Sequence, residues 1–195
     1  MKLVKINFNN YKIGIEIQNE IFPNENGTIN ILASLNRTLF IEKTGINYID
    51  DHVRYYLAEK DSNYVGITGL YNYNDDTENA WIAWYGILPQ YRNRGLGDEL
   101  LKDTISLAKD QGFRYIRLYA DILENAEAIK LYEKNGFIKE KYTAEKLDYD
   151  CWVFSKSLYD EGVPLWNNVN LCLSGQSNLD QMSSEKIKEI LSLYD

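Results

Sequence analysis

The chain has 195 residues, 45% of them apolar and 26% charged, the balance of a globular domain long enough to bury a real core. Acidic residues outnumber basic ones, 29 to 21, for a formal charge of −8; this argues against a nucleic-acid binder and suits small cationic partners. No apolar run reaches the roughly 18 residues of a membrane span, no signal peptide is read at the N-terminus, and Cys151, Cys172 and the single His52 form no zinc pattern. The expectation is a cytoplasmic protein with reduced, buried cysteines, a surface His52, no metal, and neither nucleic acid nor membrane as partner.

Residues 3–8 read as a strand. Residues 11–22 place Ile13, Ile17 and Ile21 on one helical face, and Pro23 ends that segment. Gly27 to Leu39 reads as a second helix with Thr28 as its cap. Val53–Glu59 and Tyr64–Tyr73 flank an Asp61-Ser62-Asn63 turn and predict a hairpin. Ala80–Leu88 continues it as a fourth strand, closed by Pro89. The pattern then changes. Leu96, Leu100, Leu101, Ile105 and Ala108 mark an amphipathic helix over 95–111, stopped by Gly112. Phe113–Ala120 is a strand, Asn125–Lys134 a helix ended by Asn135-Gly136, and Phe137–Tyr142 and Tyr149–Lys156 are two last strands. This order is α/β with a mixed sheet. Residues 160–195 form an appended arm, docked by Trp166 and by a helix with Ile187, Ile190, Leu191 and Tyr194 on one face, capped by Ser183.

The segment Gly86-Ile87-Leu88-Pro89-Gln90-Tyr91-Arg92-Asn93-Arg94-Gly95-Leu96-Gly97 carries the chemistry. A strand ends, a basic turn with glycines follows, and a helix opens. Unpaired N–H groups and the helix dipole make such a start an anion cradle. Glycines alone favour a plain strand–turn–helix connection. Neither a Walker A loop nor a GxGxxG fingerprint is present.

Arg92-x-x-Gly95-x-Gly97 resembles the [Gln/Arg]-x-x-Gly-x-[Gly/Ala] signature of the GNAT superfamily of N-acetyltransferases. Asn125, Ala128, Leu131-Tyr132 and Gly136-Phe137 resemble its Asn…Ala…Leu-Tyr…Gly-Phe block. The resemblance is specific from about Trp81 to Phe137. It implies a GNAT-like α/β domain, residues 1–159. Its mixed, mostly antiparallel sheet would have splayed fourth and fifth strands flanked by helices. It implies acetyl-CoA as co-substrate, its pantetheine along Ala83–Leu88 and its carbonyl polarised by a backbone N–H near Ile87. The pyrophosphate would lie on backbone of Arg92, Asn93, Arg94, Gly95, Leu96 and Gly97. Asn125 would bond the pantetheine arm, and Tyr132 would return a proton to the thiolate.

The fourth strand, Trp81-Ile82-Ala83-Trp84-Tyr85, has no carboxylate, where many relatives place a base. Glu78 is the first choice for that role and Asp121 the second. Glu16, Glu20, Glu25, Asp75, Asp76 and Glu78, with Tyr71, Tyr73 and Trp84, would frame a cationic acceptor. The implied activity is direct acetyl transfer to a primary amine of a small cationic molecule or peptide. The alternatives are a non-catalytic acyl-CoA-binding or regulatory module, and a structural module that self-associates, as a homodimer for example, through its arm.

Overall fold

One seven-stranded sheet runs through the protein in the order β1-β2-β3-β4-β5-β7-β6. The strands are β1 (Lys2–Lys5), β2 (Arg54–Lys60), β3 (Asn63–Tyr71), β4 (Asn79–Ile87), β5 (Tyr115–Asp121), β6 (Ile138–Tyr142) and β7 (Cys151–Ser157). The helices are α1 (Tyr11–Ile21), α2 (Gly27–Leu35), α3 (Arg37–Thr44), α4 (Leu96–Asp110), α5 (Ala126–Lys134) and α6 (Ser184–Ser192), with a 3-10 turn at Pro89–Tyr91. The computed structural model describes residues 1–24, 27–45, 52–73, 76–121, 126–142, 151–166 and 183–194. Every neighbouring strand pair is antiparallel except β4–β5. The mixed α/β sheet expected from the element order is therefore present.

The sheet has a packed layer on each face. One joins Ile15, Ile17 and Ile21 of α1, Ile29, Ile31 and Leu32 of α2 and Phe40 of α3 to Tyr55, Leu57, Ile67, Tyr71 and Trp81. The other joins Leu101 and Ala108 of α4 and Tyr132 of α5 to Leu70, Ala80, Ile82, Ile116, Leu118 and Phe154. Among the described residues no helix is long and apolar enough to cross a membrane. His52 is exposed. Cys151 is fully buried, and Cys172 lies outside the described residues.

The helix expected over Gly27–Leu39 divides in two. Asn36 adopts an extended conformation, and its side chain accepts the Leu39 N–H at 3.0 Å, so a new helix starts there. Thr28 is buried inside α2 rather than capping it. Ser183 caps α6 by accepting the Lys186 N–H.

The described part of the arm packs on the α1 layer. Trp166 meets Trp81 edge to face, with ring centroids 4.8 Å apart, and gives its backbone N–H to Glu140 Oε2 at 2.7 Å. Arg117 of β5 is only 2% exposed. It donates to Asn79 Oδ1, Ser155 Oγ and the Pro164 carbonyl, which ties β4, β5, β7 and the arm together. Ile190 of α6 is buried in the same layer, and Tyr11 Oη donates to the Tyr194 carbonyl. Replacing Trp166 by Ala removes a large buried ring, and the expected cost is about 3 kcal/mol. Urea unfolding measures it; a loss below about 1 kcal/mol would mean that the arm merely rests on the sheet.

Candidate active site

The site begins as a failure of strand pairing. β4 and β5 pair in parallel only at Asn79↔Tyr115, Ala80↔Ile116 and Trp81↔Arg117. Beyond Trp81 they part, while β4 stays paired to β3 and β5 to β7. Burial records the gap. Trp81 is fully buried, yet Ala83, Trp84, Tyr85 and Gly86, in a central strand, are half-buried. On β5, Tyr119 and Ala120 are half-buried too. A cleft thus opens between the strands toward their C-terminal ends.

A bulge shapes its β4 wall. Ile67 pairs with Gly86, but Gly69 pairs with Ala83, so Trp84 and Tyr85 together face Thr68. Trp84 has φ +45°. Such a conformation costs a bulky residue roughly 1–3 kcal/mol and concentrates at functional sites. The bulge turns two successive residues, Ala83 and Trp84, toward the α1 layer, whereas Tyr85 contacts the α4–α5 layer. Gly86 permits the end of α1 to rest on β4: an added Cβ would lie 2.5 Å from Ile21 Cγ2. The sequence hint of a bulge is a run of large apolar residues, Trp81 to Tyr85, without alternation.

The cradle residues follow at the open end. The Leu88 N–H donates to the Val65 carbonyl at 2.9 Å, and Arg92 Nε folds back to the Ile87 carbonyl at 2.9 Å. Asn93 and Gly95 have φ of +61° and +77°, which swings the chain into α4. Arg94 lies over the Tyr91 ring at 5.7 Å. No side chain caps α4, so its first N–H groups lack intrahelical acceptors and face outward with the positive end of the dipole. Nothing lies within 4 Å of a Cβ built on Gly95. This open, uncapped backbone fits a diphosphate group. Asp98 beside it has its negative charge balanced by lysines. It accepts from Lys102 at 2.7 Å and from Asn135 at 2.8 Å, and these bonds hold its carboxyl well below the usual range.

Tyr132 reaches the α4–α5 side of the cleft. It is 7% exposed, with Phe154, Phe137 and Tyr85 rings at 5.1, 6.0 and 6.3 Å. Burial pushes its phenol up to about 12. The hydroxyl has no hydrogen-bond partner among the described residues. Tyr85 Oη donates to the Gly97 carbonyl in the first turn of α4, and burial holds that phenol well above the ordinary tyrosine range.

Other expected residues stand elsewhere. Glu78 precedes β4 at the closed end of the cleft, where its Oε1 is 2.6 Å from Arg114 Nη1. Nine residues of extended strand, roughly 30 Å, separate it from Ile87. It is therefore at the wrong end to act as a base in the cleft. The Asp121 side chain, Asn125, Glu25 and Asp75 lie outside the described residues. Asp76 Oδ1 accepts the Glu78 and Asn79 N–H groups at 3.2 and 3.0 Å, which is turn structure. Tyr71 is packed between Tyr73 and Trp81. Glu16 and Glu20 are exposed on α1. Among the described residues no group of three or more His, Cys, Asp or Glu is placed to hold a metal.

Comparison with known proteins gives a consistent frame. The spermine/spermidine N(1)-acetyltransferase of Bacillus subtilis is 27% identical over 135 residues, 64% of this chain and 88% of that one. A second Bacillus subtilis relative, named as a candidate ribosomal-protein-alanine N-acetyltransferase, is 32% identical over 85 residues, 44% of this chain. The match spans about half, 54%, of that relative's length. Among solved structures, a mutant spermidine N-acetyltransferase from Vibrio cholerae superposes with a TM-score of 0.61 at 17% identity, covering 80% of this chain and 93% of that one. The model of the acetyltransferase (GNAT) family matches residues 16–137, well over half of the chain, and the chain belongs to that family.

Proposed function

We propose that the protein transfers the acetyl group of acetyl-CoA directly to a primary amine of a small cationic molecule or a peptide. The observation that carries this reading is the β4–β5 cleft, with its bulge, flanked by the uncapped start of α4 and by Tyr132. When bound, acetyl-CoA supplies a thioester, an electrophilic carbonyl joined to a sulfur leaving group. Backbone from Arg92 to Gly97 holds the diphosphate end. The β4 backbone from Ala83 to Leu88 lines the pantetheine arm. Backbone N–H groups at the bulge serve to stabilise the carbonyl oxygen as it gains charge, a little before the Ile87 position expected from sequence. Asn125 is kept as a partner of the pantetheine arm on the strength of its motif.

Tyr132 donates its proton to the departing sulfur. A phenol raised to about 12 stays protonated through neutral and moderately alkaline pH and gives its proton only to a developing anion. Glu78 being at the closed end, we assign no carboxylate as base. Water in the half-open cleft can take the amine's proton. Positioning and carbonyl polarisation supply most of the rate. Two relatives act by name on amines of different size, a polyamine and a ribosomal-protein alanine, and both fit this chemistry. We read residues 1–159 as the transferase unit, residues 160–195 as its arm, and the cytoplasm as its place.

The direct experiment mixes the full chain, acetyl-CoA and a panel of diamines, polyamines and peptide N-termini. Amine-dependent thiol release, with an acetylated amine in the product, is expected. Binding of acetyl-CoA without release would instead identify a non-catalytic acyl-CoA module. Tyr132→Phe should lower kcat on the order of 10²-fold and leave the acetyl-CoA KM unchanged; an equal kcat would remove the acid. With Tyr132 near 12, the rate should not decline through about pH 10, as it would with an ordinary phenol. Gly95→Val forces a β-branched residue into left-handed backbone. Calorimetry should show acetyl-CoA binding weakened roughly tenfold, and unaltered affinity would remove the cradle.

A further inference from the structure

The cleft has two sides with different furniture. Tyr85, Tyr132 and the start of α4 occupy one side. On the other, the bulge presents Trp84. The indole N–H of Trp84 has no partner among the described residues, although the ring is half-buried in the middle of the sheet. Among the described residues its ring contact is Phe22, edge to face at 5.1 Å. Phe22 is the C-cap of α1, and its ring and Ile21 rest on Gly86. The last turn of α1 contains no basic residue and includes the exposed Glu20. Within α1 itself, no basic side chain of the last turn offsets the partial negative charge of the helix C-terminus beside these two rings. Lysines and arginines of the chain stack on Tyr91, Phe113, Tyr115 and Trp152, among others. Among the described residues none stacks on Trp84 or Phe22.

Two aromatic faces at the negative end of a helix form a place for a cation. The strained φ of Trp84 holds its ring there, on the side left open once the cofactor fills the α4–α5 side. We propose that Trp84, with Phe22 and the end of α1, receives a second positive charge of the acceptor. The substrate class is then an amine carrying another cation, a diamine or polyamine, rather than a lone primary amine or an uncharged peptide terminus. The reacting nitrogen must be neutral to attack the carbonyl. The other ammonium keeps its proton and its charge, and Trp84 selects for it. The proposal rests on the acetyltransferase reading above and assigns the acceptor side of that same site.

The test compares an n-alkylamine with the diamine of equal chain length in the native chain, Trp84→Phe and Trp84→Leu. The native chain should favour the diamine in kcat/KM. Trp84→Leu should reduce the ratio of diamine to alkylamine kcat/KM about tenfold, through the diamine KM; a general effect on the cofactor cancels in that ratio. Trp84→Phe should keep most of the preference, because it retains an aromatic face. A native chain without diamine preference, or a preference untouched in Trp84→Leu, would overturn the assignment. Calorimetry with the diamine alone separates the two readings. Diamine binding that is lost in Trp84→Leu, in a chain that acetylates no amine, would keep the cation site and retire the transferase. Equal diamine affinity in both chains, alongside normal acetylation, would do the reverse.

Discussion

The parting of β4 from β5 is the constraint on which the rest of this structure depends. Two parallel strands that kept their ladder to the end would bury their backbones against each other and leave no cleft. Here the ladder stops after Trp81 and Arg117. The sheet survives because each strand is held on its far side, β4 by β3 up to Ile87 and β5 by β7 up to Asp121. The apex is closed by buried side chains. Trp81 is fully enclosed, and the Arg117 guanidinium joins β4, β7 and the arm. Burial lowers the pKa of Arg117 from its ordinary value. Its three neutral acceptors satisfy the donors that this burial strips of water.

The helices on the α4–α5 side are linked at the point where the cleft needs rigidity. Gly97 and Asp98 are consecutive in the first turn of α4. The Gly97 carbonyl accepts from Tyr85 of β4, and the Asp98 carboxylate accepts from Asn135 just after α5. The anion cradle is thus bonded both to the bulged strand and to the end of the helix that carries Tyr132. Thr104 of α4 adds a buried contact, its Oγ1 3.0 Å from Oγ1 of Thr68, the residue that faces the bulge. A site distributed over β4, α4 and α5 is held as one unit by these few bonds.

What could be read from the sequence was local. Arg92, Gly95 and Gly97 stand in one turn whose conformation, with Gly95 at φ +77°, follows from neighbours in the chain. Gly112 and Gly136 end helices in left-handed conformations, and Ser183 caps the last helix; each follows from a residue's own chemistry. The misses were non-local, apart from two helix caps: Asn36, passed over, and Thr28, which lies inside α2. The bulge is a matter of register between β3 and β4, and no single residue announces it. Glu78 is next to the fourth strand in sequence, but β4 starts at the closed end of the cleft, which only the Asn79↔Tyr115 register reveals. Asp76, set from sequence among the residues framing the amine, accepts hydrogen bonds of the turn before β4. Arg117 drew no reading from sequence, and its role as a tie between strands rests on the Pro164 carbonyl, 47 residues away.

We propose that acetyl-CoA lies in the gap between β4 and β5 with its diphosphate on the start of α4. Amide hydrogen exchange of the full chain, with and without saturating acetyl-CoA, tests it most directly. Slowed exchange is expected in peptides covering residues 83–97, the bulged half of β4 and the turn into α4. Unchanged exchange there, or protection confined to the closed end near Glu78 and Arg114, would contradict it.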